Sequence, residues 1–327
     1  MNIIMQINGG LGKHLQATSM VKWAAEKYPE QKIVVVSGYP EIFEYNPRIH
    51  RNLGLTQSYL FEDYVKGHDF RTGDPYTLPG YYNERRHIMN LFPLAYGFGE
   101  ENQSPEMEAF FTAGELEEAV AFSQGPPIVT LQNMGGTLPG SPVNARKSDD
   151  LRTMPRWIAE QLVSGLSARG FRVLQIRQAT EPQLPGTVQF TGKFRQLMAL
   201  ASQIKGHVGI DSSMMHCAAL HAKPMMIFWA STVPSNLGYD YGVVSNKYKY
   251  ITGRPVFGIP DNAGVMAYRD PREKECWDYT KGDISACMEE FAESLKKEQP
   301  VPAAVLVPAC QGDCCGKENA TSRNCHW

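Results

Sequence analysis

The chain has 327 residues, 43% of them hydrophobic and 20% charged, with a formal net charge of -2. This is the composition of a globular protein long enough for two domains, each with its own core. No apolar run approaches the roughly 20 residues that span a bilayer, and the first strand gives way to glycines too soon for a secretory leader, so a cytoplasmic protein is expected. Residues 1–125 carry 10 Lys+Arg against 16 Asp+Glu and the remainder 22 against 18, which favours a polyanionic ligand on the second half and weighs against duplex nucleic acid across the first.

Residues 2–7 read as a short buried strand. Asn8-Gly9-Gly10-Leu11-Gly12-Lys13-His14 follows, then an amphipathic helix over 15–28 that Pro29 ends, and a second strand over 33–36. Gly10 and Gly12 therefore fall at a strand-to-helix turn, where the backbone can approach a ligand and the helix start offers N–H groups to an anion. The third glycine of the dinucleotide fingerprint is absent, its region holding Gln16 and Ala17. Residues 63–99, rich in Gly, Pro, Tyr and Arg, show no sustained period and read as one long irregular segment. Within it, Arg85-Arg86-His87 is either a surface charge run or a contact for an anionic ligand. A helix is expected over 106–122, and Gly125-Pro126-Pro127 marks a domain boundary.

From 128 to 229, strands and helices alternate without a hairpin signal, which predicts a parallel sheet with helices on its faces. Strands are expected at 128–131, 172–176, 188–190, 208–210 and 225–229. Helices are expected from Pro155 to about 169, over 194–204, and through Ala218, Ala219 and Ala222. The polar loop 133–152 carries Arg146, Lys147 and Arg152. The strand at 208–210 ends on Asp211-Ser212-Ser213, and the strand at 225–229 ends on a polar turn with Ser231 and Thr232. Hydroxyls and a carboxylate thus reach the edge beyond the carboxyl ends of the strands, where open α/β sheets bind ligands. Helix capping also accounts for Asp211 and Ser212, and His216 reads as either a core histidine or a ligand contact.

Beyond this, a strand is expected at 248–251 and a helix over 283–297 capped by Asp283. A proline-punctuated linker spans 300–308, and the tail has the composition of a disordered end. Cys310, Cys314, Cys315 and Cys325 supply enough thiolate for zinc, but at a spacing that matches no standard site; a reduced, unstructured tail is the alternative.

Gly209-Ile210-Asp211-Ser212-Ser213-Met214-Met215-His216, with Lys223-Pro224, Thr232, Pro234 and Gly238-Tyr239, resembles the heptosyltransferases, glycosyltransferase family 9. The resemblance covers most of 128–242 and the first glycine turn. It implies the GT-B architecture, α/β with two Rossmann-like domains facing across a cleft. Residues 1–126 would be the acceptor domain and 127–298 the nucleotide-sugar domain, with helix 283–298 returning to the first domain and 299–327 forming the tail. It further implies metal-independent transfer of a sugar from a nucleotide diphosphate sugar, the co-substrate, to an acceptor hydroxyl, with no further cofactor. Donor contacts would come from Gly10, Gly12, Arg152, Glu181, Asp211, Ser212, Ser213, His216 and Thr232, and acceptor contacts from Arg85 and Arg86.

One departure falls at the chemistry. The family carries an aspartate, thought to be the acceptor's base, directly after the last glycine of the turn. Here that residue is Lys13, an acid at its ordinary pKa. The turn is also similar to the Gly-Gly-x-Gly turn of fucosyltransferases, whose nearby basic side chain serves the donor phosphates. Lys13 and His14 are the catalytic candidates, with His14, Asp63 and Asp69 as possible bases. A sugar-nucleotide 2-epimerase of the same fold, or an inactive sugar-nucleotide or glycan-binding protein, are the alternative readings.

Overall fold

The computed structural model describes residues 2–135, 153–179, 181–229, 232, 234–239, 243–248, 277, 279–296 and 305–306. In the first half, β1 (Ile3–Ile7), β2 (Ile33–Ser37), β3 (Ile49–Gly54) and β4 (Asp69–Thr72) form a parallel sheet in the order β3-β2-β1-β4. The inner strands IIMQI and IVVVS are almost wholly buried, as strands covered on both faces must be. Helix α1 (Leu11–Lys27) packs Leu15, Met20, Val21 and Ala24 into the core beside β1.

The outer strands β3 and β4 mix charged and apolar residues and are largely part-exposed. They lack the continuous apolar signature, and this corrects the expectation of one irregular segment over 63–99. That stretch contains β4, a 3₁₀ turn at Pro75–Thr77, α2 (Pro79–Tyr82) and α3 (Ile88–Ala95). The helix expected over 106–122 is also shorter. β5 (Phe110–Phe111) precedes α4 (Ala113–Phe122), whose start is set by a capping box between Thr112 and Glu115.

The second half has the predicted alternation. β6 (Ile128–Gln132), β7 (Arg172–Gln175), β8 (Val188–Gln189), β9 (Gly206–Ile210), β10 (Met225–Trp229) and β11 (Val243–Tyr248) form a parallel sheet in the order β11-β10-β9-β6-β7-β8. Its helices are α5 (Arg156–Ala168), α6 (Phe194–Leu200), α7 (Ser213–Leu220), α8 (Pro234–Leu237) and α9 (Lys281–Leu295). β11 stands where a strand was expected slightly later, at 248–251.

Helix α9 does not return to the first sheet. Its stripe Ile284, Cys287, Met288 and Phe291, at helical spacing, is buried with Ile158 and Leu162 of α5 and with Val208 of β9. Its N-cap is Thr280, with Asp283 three residues on as the reciprocal partner. β12 (Val305–Leu306) pairs in parallel with β5. The tail cysteines Cys310, Cys314, Cys315 and Cys325 lie outside the described residues. One apolar cluster runs from β1, α1 and α3 through Leu197, Met198, Met214 and Met215 to Leu237 and Tyr239, so the two halves share buried surface.

Candidate active site

Both strand orders contain a reversal. In the first sheet the chain runs from β1 outward to β3 and then returns to place β4 on the other side of β1; in the second, β9 returns to the other side of β6. Ligands of open α/β sheets bind beyond the carboxyl ends of the strands at such reversals. The first reversal carries residues 8–14 after β1 and residues 73–77 after β4. The second carries Gln132 and Asn133 after β6 and Asp211-Ser212-Ser213 after β9.

At the first reversal Gly9 has φ +107°, a conformation that favours glycine, and a Cβ there would lie 2.8 Å from the Lys13 side chain. Gly10 is the N-cap of α1, with φ -81° and open space around its α-carbon. Gly12 faces the second half: a Cβ on it would lie 2.8 Å from Nε2 of His216. Lys13 is 6% exposed. Its Nζ stands 3.1 Å from Oδ1 of Asp74 and 5.5 Å from the centre of the Tyr76 ring. Burial pulls its pKa below that of a free lysine, against the opposing effect of Asp74. His14 is fully buried, with Nδ1 2.9 Å from the Gly10 carbonyl and Nε2 3.1 Å from the Ile7 carbonyl. Burial also lowers its pKa, so the neutral ring donates to one of these carbonyls and fastens the turn.

At the second reversal Asp211 is buried and Ser212 is the N-cap of α7 in extended conformation. The Ser212 side chain makes no capping bond, and its hydroxyl oxygen is buried without a partner among the described residues. Simple capping therefore does not account for it. The first turn of α7 is held instead by Gln132, whose Oε1 accepts from the Met214 N–H at 3.2 Å. The Thr232 hydroxyl, beyond β10, is likewise buried without a partner among the described residues. Glu181 lies in the turn after β7; its carboxylate accepts from the Gln178 N–H at 3.0 Å and its carbonyl from Arg177. Behind that turn, Gln175 bonds Asn133, Leu184 and Thr187, tying the ends of β6 and β7 together.

His216 joins the two reversals. Its Nδ1 is 2.6 Å from the Tyr239 hydroxyl, which also accepts from Nε2 of Gln16 on α1 at 3.2 Å. Nε2 of His216 is 4.0 Å from Asp211, too far for a hydrogen bond. Burial, followed by the neighbouring His87, lowers the His216 pKa to about 3. The imidazole is neutral at pH 7, and its pairing with Asp211 is not an ion pair. A second tie runs through Asn236 of α8, whose Nδ2 donates to the carbonyls of Tyr81 and Arg86 at 3.0 Å each. A third is Arg195 of α6, 7% exposed, which forms a two-pronged pair with Glu115 and donates to the carbonyls of Glu41 and Phe110. Gln16, Arg195, Asn236 and Tyr239 carry this junction, Asp74 and Gln132 brace the turn on either side of it, and no sequence motif flagged their roles. Tyr239 stood in the resembling segment, and Arg195 in its upstream helix, without an assigned function.

The other candidates are dispersed. Asp69 pairs in register with Ile3 at the start of β1, the amino edge of the sheet, so it stands at the end opposite the glycine turn. Asp63 is exposed on the crossover before β4. Arg85 and Arg86 are exposed, and Arg86 pairs with Glu84 and Glu101; the Arg86 carbonyl is stitched to Asn236 as above. Arg152 lies outside the described residues. Among the described residues, no group of three or more His, Cys, Asp or Glu side chains is placed to hold a metal ion, and no helix is long and apolar enough to cross a membrane. A hollow of about 420 Å³ on α4, lined by Ala113, Leu116, Glu117, Val120 and Ala121, belongs to neither reversal and lacks convergent polar groups.

Two parallel Rossmann-like sheets joined in this way are the fold of the GT-B glycosyltransferases. Solved structures similar to the chain include a family 9 glycosyltransferase from Veillonella parvula, with TM-score 0.61 and 12% identity over 89% of this chain and 97% of that one. The E. coli ADP-heptose lps heptosyltransferase II has TM-score 0.57 and 14% identity over 90% and 98%. The dodecameric iron-containing heptosyltransferase TibC, in complex with ADP-D-β-D-heptose, has TM-score 0.63 and 13% identity over 90% and 78%. No family model matches the chain, and no curated protein matches it in sequence. The likeness is one of fold, and it bears out the fold that the sequence resemblance implied.

Proposed function

We propose that the chain is a glycosyltransferase that moves a sugar from a nucleotide diphosphate sugar to an acceptor hydroxyl, with residues 127–298 binding the donor and 1–126 the acceptor. The observation that carries this reading is the Ser212 hydroxyl, buried and without a partner among the described residues at the start of α7. An unsatisfied buried polar group costs about 1–3 kcal/mol, and a diphosphate oxygen is the partner that a helix N-terminus favours. In this reading Ser212, Ser213 and the α7 amides take the diphosphate, with Thr232 beside them. Glu181 and the Gln175 network shape the end that receives the nucleoside, and Arg152 is a further donor contact. Gly10 and Gly12 let the opposite turn close over the donor, and His216 and Tyr239 set its distance.

Hydrogen-bond donors fixed in advance around the leaving diphosphate stabilise the charge that grows on it, which can be the largest catalytic contribution. The reaction in this scheme runs without a divalent cation, and activity undiminished by EDTA is its expected signature. The heptosyltransferases of similar fold were solved with ADP or ADP-heptose, so ADP-sugars come first in a donor panel that also includes UDP- and GDP-sugars. Release of nucleoside diphosphate from one of them, dependent on Asp211 and Ser212, is the expected result. Tight binding of every donor with no release would instead identify a binding protein.

A further inference from the structure

Lys13 occupies the position where the resembling families hold either a base or a basic phosphate ligand, and its ammonium is committed to Asp74 at 3.1 Å. β4 pairs with β1 in parallel, Gln6 opposite Thr72, so two residues further on Asp74 reaches the carboxyl edge beside the glycine turn. Its backbone is pinned there: a Cβ on Gly73 would lie 2.7 Å from the Ala95 carbonyl carbon, leaving room only for glycine. Asp74 also caps the 3₁₀ turn that follows, accepting from the Tyr76 N–H at 3.1 Å. Its side chain is 24% exposed against 5% for Lys13, so the carboxylate is the more accessible member of the pair. Of the acids and bases weighed for the acceptor side, Asp69 is on the wrong edge, Asp63 is on a crossover, and His14 is sealed against two carbonyls. Asp74, unlike these three, is held in place, part-exposed and at the reversal of the first sheet.

We propose that Asp74 is the general base of the transfer, held in position by Lys13; this rests on the glycosyltransferase reading above. In the step, the acceptor oxygen bonds to the anomeric carbon as the bond from that carbon to the diphosphate oxygen breaks. The electron pair leaves with the nucleoside diphosphate, and the acceptor hydroxyl's proton passes to the Asp74 carboxylate. Water can serve as the acceptor in slow donor hydrolysis, which needs the same proton transfer.

Asp74→Asn tests this, because asparagine caps a turn as well as aspartate does but cannot accept the proton. Hydrolysis of ADP-, UDP- and GDP-sugars and calorimetric binding of ADP, UDP and GDP are measured for the wild type and the variant. The expected result is binding within about 2-fold of wild type and turnover lower by about 100-fold or more. Asp74→Ser, which also caps, should recover turnover about 10-fold or more on addition of formate, a rescue that a purely structural role does not give. Turnover of Asp74→Asn within 3-fold of wild type overturns the assignment and leaves the glycosyltransferase reading standing. A wild type that neither binds these nucleotides nor consumes their sugars contradicts that reading, and the base with it.

Discussion

Gly12→Ala probes the seam between the two halves. Gly12 lies on α1 with ordinary helical geometry, so its α-carbon tolerates a methyl group as far as the backbone is concerned. The obstacle is His216, whose Nε2 would be 2.8 Å from the new carbon, with Cδ2 nearer still. Real side-chain carbons need about 3.5–4.0 Å, so the ring must withdraw by about 1 Å. It is 5% exposed and bonded to Tyr239 at 2.6 Å, so it has no open side to move into. Overpacking of this kind costs about 1–3 kcal/mol, and losing the His216–Tyr239 bond adds about 1 kcal/mol. The sum, about 2–4 kcal/mol, corresponds to a fall in Tm of about 3–6 °C for a chain of this size. Gly10→Ala is the control: its φ is -81° and nothing lies within 4 Å of the added carbon, so Tm should stay within about 1 °C. Thermal melts followed by circular dichroism compare the two. Equal Tm for Gly12→Ala and Gly10→Ala would refute the packing of His216 on this turn.

Ser212→Ala should not lower Tm, because the buried hydroxyl makes no cap bond and has no partner among the described residues, and should weaken nucleoside diphosphate binding about 10-fold or more, as for loss of a bond to a charged group. A drop of about 1 kcal/mol in stability with unchanged binding would restore the capping explanation. Arg195→Ala should destabilise the protein by about 3–5 kcal/mol in denaturant titrations, since it strands Glu115 and two carbonyls; Arg195→Lys, which cannot reproduce the fork, should recover only part of this. Burial holds His207 and His216 at pKa about 3 and His221 at about 4, below the unfolded value of about 6.5. Their contribution to stability is therefore complete above about pH 6.5 and is lost as pH falls toward the folded values, because the unfolded chain binds the extra protons. Unfolding at pH 5 should take up about three protons from these groups, measurable as the slope of unfolding free energy against pH; stability independent of pH between 4.5 and 6.5 would contradict their neutral burial.

The inner strands were legible because each is nearly continuous in Ile, Val, Leu or Met. The second sheet follows directly from its regular alternation with helices. β3 and β4 were not legible: as edge strands with Arg51, Asn52, Asp69 and Arg71 on them, they carry no apolar period, and 63–99 therefore looked structureless. With β4 hidden, its register on β1 was hidden too, so Asp69 looked as plausible a base as any and Asp74 drew no notice. Helix α9 misled differently, because a strong amphipathic stripe says that a helix packs but not against which sheet. The turn Asp211-Ser212-Ser213 was easier to place, since it lies between a single strand and the helix that follows it. What could not be read there was the role of His216: its neighbours Gly12 and Tyr239, and the Gln16 that bonds Tyr239 from 223 positions away, meet only when the halves are assembled.

The most direct test of the account is a crystal structure of the protein soaked with ADP, UDP or GDP. The account predicts a diphosphate bonded to the Ser212 hydroxyl and the first-turn amides of α7, with its nucleoside toward Glu181. A nucleotide bound elsewhere, with Ser212 untouched, would contradict it.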